Sequence, residues 1–180
     1  MEFGENRLIK KLRAFSGSDP AIVRGIGDDC AVVAMLAGRY VFTQDAMVEN
    51  VHFTFAMCPP RAVGKKALYV NISDILSMGA KPLYYLVTLG LPAGTAYRTV
   101  RALYEGMAAV SSAFGLSLLG GDTVATEGSF FIDVSMTGRV VGEHHLGRNT
   151  AKRGDLVAVT GPLGESAYGL SLLRSGLRPR

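Results

Sequence analysis

Residues 83–91, LYYLVTLGL, form a β-rich apolar run that Pro92 stops. From Ala96 onward the apolar period changes: Ala96, Val100, Leu103, Met107, Val110 and Phe114 recur every three or four residues. Gly115 closes that helix, and residues 116–119 resume a strand pattern. A strand, an amphipathic helix and a second strand in succession restrict the chain to layered folds, because the helix has to bury its apolar stripe on a sheet. The rest of the chain extends the pattern. Leu8, Ile9, Leu12 and Phe15 predict a helix over 4–15, and strands are expected at 30–35 and 39–44, joined through Gly38 as a hairpin. Pro59-Pro60 opens a helix over 61–79 that ends at Gly79. Further strands are expected at 130–141 and 156–160, with a helical pattern at 164–173. The fold class predicted is α+β, layered, a mixed sheet with helices on one face.

The 180 residues suit one domain with a real core, and 48% hydrophobic against 19% charged residues is a globular composition. No apolar run approaches the ~20 residues that span a bilayer. The N-terminus MEFGENRLIKKLRAF lacks the uninterrupted apolar core of a secretory signal, so a cytoplasmic location is expected. Cys30 and Cys58 have neither metal-ligand spacing nor the density of a disulfide scaffold. The net charge of +4 is dispersed, with no basic block to grip nucleic acid, and suits small phosphorylated ligands better.

Aspartates recur at comparable places. Asp28 and Asp29 sit in a glycine-bracketed turn, Asp45 is expected just after a strand, and Asp122 follows another strand through Gly120-Gly121. Asp74 differs. It lies inside a helical pattern, three residues from Asn71 and on a stripe with Ala67, Val70 and Met78, where a lone buried carboxylate would cost several kcal/mol. Converging carboxylates raise one another's pKa unless a cation lies between them, and an all-oxygen set selects a hard ion such as magnesium. Taken singly, each aspartate could equally be a turn former or a helix cap.

The segments GIGDDCAVV, TQDAMVENVHF, KALYVNISDILSMGAKP, LLGGDT and GDLVAVTGPLGESAYGL, in this order, resemble the thiamine-monophosphate kinases. These belong to the superfamily of aminoimidazole ribonucleotide synthetase, selenophosphate synthetase and a hydrogenase maturation factor. The resemblance runs from about residue 4 to 169. It implies the N-terminal ATP-binding domain of that superfamily and ATP-dependent phosphorylation of thiamine monophosphate to thiamine diphosphate. By motif position it implies magnesium ligands at Asp29, Asp45, Asp74 and Asp122, helped by Thr43 and the Gln44 main chain, with Asp28 behind them. Gly121, Asp122 and Arg148 would contact ATP and His52 the thiamine phosphate, with no acid–base catalyst assigned. Lys66 matches a lysine of the family's helix, but beside Lys65 it reads equally as solvent-facing and is left out of the site.

Two features depart from the family pattern. Gln44 stands where the family shows a threonine, which leaves the main-chain carbonyl as its metal contact. Family members also carry a second α/β domain, so residues 1–160 are expected to be the core of the N-terminal domain and 161–180 the start of the connection, with a homodimer formed through this domain. The alternatives are a hydrogenase-maturation-like enzyme of the same superfamily or a non-catalytic nucleotide-binding dimerisation module.

Overall fold

The computed structural model describes residues 5–16, 18–26 and 31–177, in two compact units, Met1–Leu146 and Gly147–Arg180. Helix α1 (Glu5–Leu12) runs into a single 3-10 turn over Arg13–Phe15, burying Leu8 and Leu12 and setting Phe15 against Tyr104 at 5.5 Å between ring centroids. Strands β1 (Ile22–Arg24) and β2 (Val32–Val33) pair antiparallel as a small sheet of their own. The expected hairpin therefore does not form. The strand after Gly38, β3 (Tyr40–Val48), pairs instead with β6 (Phe131–Val140).

The main sheet has the order β3-β6-β4-β5, completed by β4 (Ala80–Pro92) and β5 (Ser117–Thr126). Only β4 and β5 run parallel, and α3 (Tyr97–Phe114) makes the crossover between them, as a parallel pair requires. Helix α3 ends where Gly115 takes φ 67°, the left-handed cap expected of glycine. Helix α2 (Pro60–Ser77) connects β3 to β4 and packs with α3 on one face of the sheet. On β6 the alternation is strict. Ile132, Val134 and Met136 are buried beneath the helices, whereas Phe131, Asp133, Ser135 and Thr137 are only part-buried on the opposite face. The mixed sheet with helices on one face is thus the architecture observed.

Two glycines let α2 and α3 cross closely. A Cβ on Gly64 would stand 2.0 Å from the Leu103 carbonyl oxygen, and one on Gly106 would stand 2.0 Å from that of Arg61. In the second unit, α4 (Glu165–Arg174) forms as the pattern predicts. Residues 156–160 do not form the expected strand: the apolar run pairs with no described strand, and Leu156 and Val157 are exposed.

Candidate metal and nucleotide site

Thr43 and Asp45 are two apart on β3 and therefore project from the same face, toward α2. Thr43 Oγ1 donates to Asp74 Oδ2 at 2.8 Å, tying the strand to the helix and orienting one carboxylate. Burial first, then the charges of Asp74 and Asp133, raise the Asp45 carboxyl above its ordinary pKa. The local chemistry is an oxygen-only set in which like charges oppose one another. Hydroxyl and carboxylate donors lacking nitrogen or sulfur fit a hard cation. Among the described residues no group of three or more His, Cys, Asp or Glu side chains is arranged to hold a metal ion.

Several sequence expectations need correction. Asp45 and Asp122 lie inside β3 and β5 and not beyond their ends, because both strands run on through polar residues. Asp74 is exposed at the rim of α2 and does not interrupt its buried stripe. The buried polar member there is Asn71, whose Nδ2 donates to the Ala67 carbonyl at 2.9 Å. Asp28 and Asp29, in the connection from β1 to β2, lie outside the described residues.

Gln44 is exposed on the other face of β3, and its side-chain amide donates to Asp133 Oδ2. Asp133 Oδ1 is buried and has no hydrogen-bond partner among the described residues. Sequence reasoning passed over Asp133, although a lone acid within the apolar run FIDVSM was its signal. Asp122 Oδ1 accepts from the Thr123 amide at 2.8 Å and is exposed. It belongs to β5, the edge strand opposite β3, so three strand spacings, roughly 14 Å, separate it from Asp45. Gly121 lies beside it with φ 155°, and a Cβ there would stand 1.8 Å from the Val87 carbonyl oxygen. Arg148 is exposed in the second unit.

His52 occupies the turn that follows β3. Its ring Nδ1 accepts from the Val48 amide at 3.0 Å, and its own amide donates to the Val48 carbonyl at 2.9 Å. Lys66 Nζ donates to the His52 carbonyl at 2.8 Å. Nearby, burial raises the Cys58 thiol pKa, with Lys66 acting in the opposite direction.

The family of AIR synthase related proteins, N-terminal domain, matches residues 27–140. The chain is 41% identical to the thiamine-monophosphate kinase of Bacillus subtilis over 157 residues, covering 87% of this chain and 48% of that protein. It is 34% identical to that of Mycobacterium tuberculosis over 176 residues, 98% of this chain and 53% of the other. Among solved structures, the thiamine monophosphate kinase of Aquifex aeolicus superposes with a TM-score of 0.74 at 30% identity, over 100% of this chain and 55% of that one. AaThiL complexed with AMPPCP and TMP gives 0.75 at 32%, over 99% and 55%. The hydrogenase maturation protein HypE in complex with ATP gives 0.79 at 22%, a likeness of fold alone. The chain spans about half the length of the curated relatives it matches. The matched segment covers more than half of the chain, and the chain belongs to the family of AIR synthase related proteins as an N-terminal domain.

Proposed function

We propose that this chain is the metal- and nucleotide-binding half of a cytoplasmic enzyme that phosphorylates thiamine monophosphate to thiamine diphosphate with magnesium and ATP. The observation that carries the reading is the Thr43–Asp74 bond on the face of β3 that also carries Asp45. The similarity to thiamine-monophosphate kinases, one of them solved with AMPPCP and TMP, supports it. The activity is that of a protein about twice this length, whose other half would place the acceptor.

Asp45 and Asp74 would hold magnesium, with Asp29 added from the connection between β1 and β2. When bound, the ion would supply positive charge against the triphosphate and the transferring group. Thr43 keeps the Asp74 carboxylate oriented. Gln44 has its side chain drawn to Asp133, so its main-chain carbonyl is the oxygen it has to offer. Gly121 lets main chain approach phosphate, Arg148 presents a planar fork to it, and His52 would bond the acceptor's phosphate.

Asp122 joins this set if two copies associate. With β3 and β5 as opposite free edges, a two-fold pairing of copies would set β3 of one beside β5 of the other, bringing Asp122 toward a neighbour's Asp45. The uncovered face supplies apolar area for that contact, with Phe42, Tyr84, Leu86 and Leu119 around one depression.

Magnesium with a non-hydrolysable ATP analogue is expected to raise the melting temperature, and Asp74→Asn to remove most of that shift. Mixing D45N and D122N chains should restore a fraction of the binding that each lacks alone, since one of the two shared sites is then intact. An undiminished shift in D74N would refute the metal assignment. A mixture no better than its components would refute the shared site.

A further inference from the structure

The turn that carries His52 is tied both within itself and to α2. Val48 is bonded to His52 twice, through the histidine's main-chain amide and through its ring Nδ1. Asn50 takes φ 67°, and its amide donates to the Phe53 carbonyl at 2.6 Å. Phe53 is buried in an edge-to-face group with Phe55 and Phe130, at 5.2 and 6.4 Å between centroids. A further tie comes from α2, where Lys66 Nζ reaches the His52 carbonyl at 2.8 Å. Lys66 is itself exposed, and among the described residues its ammonium is the one side-chain donor to this turn from another element.

A backbone amide can only donate, so the ring nitrogen facing it carries no proton. In a neutral imidazole the hydrogen then resides on Nε2. We propose that Lys66 is a positioning residue for His52: by clamping the carbonyl of the 48–53 turn from α2, it holds the imidazole as the Nε2–H tautomer, a fixed donor directed outward. The clamp acts through geometry. Without it the turn can rotate its 52–53 peptide, lengthen the Val48–Nδ1 bond and free the ring to exchange tautomers. The inference deepens the proposed function and rests on that reading for what the donor meets: an acceptor atom, such as a phosphate oxygen, that needs a hydrogen from the protein. A ring held in this way cannot use Nδ1 as a base, which makes His52 a binding group.

The test is a long-range proton–nitrogen spectrum of the chain with 15N-labelled histidine, the His52 signals being assigned by their loss in His52→Gln. In the native chain one ring nitrogen is expected to show the acceptor-type shift and the other the N–H shift. In Lys66→Met the two should converge toward the average of exchanging tautomers, and Lys66→Arg, which keeps a charged donor, should recover the native pattern. Should the Met variant fail to fold, Lys66→Ala takes its place. A native spectrum with the proton on Nδ1, or a Met or Ala variant indistinguishable from native, would overturn the inference. The spectrum is recorded without ligand, so the inference can fail while the kinase reading stands, and the reverse.

Discussion

Tyr85 carries a polar tip into the core. Its hydroxyl meets Ser111 Oγ at 2.8 Å, and burial pushes its pKa up to about 12, with the Ser111 bond opposing that rise. Unfolded tyrosine titrates near 10, so the folded chain retains a proton that the unfolded chain loses between those values. Stability from this source is complete below about pH 10 and lost as pH rises toward 12. Tyr85→Phe should flatten that alkaline loss while costing about 1 kcal/mol at neutral pH for the missing hydrogen bond, as denaturant titrations at pH 7 and 11 would read. At this scale the sequence was informative wherever residue type alone limits the chemistry. Asp45 and Asp74 stood out as members of an oxygen set for a hard cation, whereas Thr43 was named only by its motif position in the resemblance to the thiamine-monophosphate kinases. The exposure of Asp74 could not be read, because a helical stripe has edges and spacing alone does not distinguish rim from centre. Asp133 and the Lys66 clamp were hidden for another reason: each depends on a partner far along the chain.

Helices α2 and α3 illustrate how much of an element is decided by a few small residues. With Leu103 and Arg61 carbonyls where Cβ atoms would lie, Gly64→Ala has to push the helices apart, an overpacking that typically costs about 1–3 kcal/mol. The denaturation midpoint should fall by that cost divided by the unchanged slope, whereas Gly142→Ala, with nothing among the described residues within 4 Å, should leave it in place. Helix positions were legible because 3.6-residue periodicity is a local property. Strand limits were less so. Both β3 and β5 continue through polar residues that look like turns, since alternate side chains leave the buried face and need not be apolar. The opposite error arose at 156–160, where β-branched residues suggest a strand but a strand also requires a neighbour to bond with. The pairing of β2 with β1 was likewise invisible locally.

At the scale of the first unit, α2 and α3 cover one face of the sheet, and no helix described in that unit packs on the other. On the uncovered face Phe42 is 74% exposed, and Leu86 lies beside the same depression. If two copies close over it, Leu86→Glu places a charge in the contact and should shift the chain from dimer to monomer in sedimentation experiments, with little change in its circular dichroism. A native chain that sediments as a monomer at the same concentration would exclude that contact. Layering and mixed strand direction could be read in advance from the alternation of periods. The strand order could not, because β6 inserts between β3 and β4 without any local mark. Gly121 links this large-scale order to a single hydrogen atom. With the Val87 oxygen occupying the place of a side chain, a heavier residue at 121 would pry the last strand off the sheet. Mutational scans at that position would thus report misfolding together with lost ligand, and a selective loss of affinity would never appear by itself.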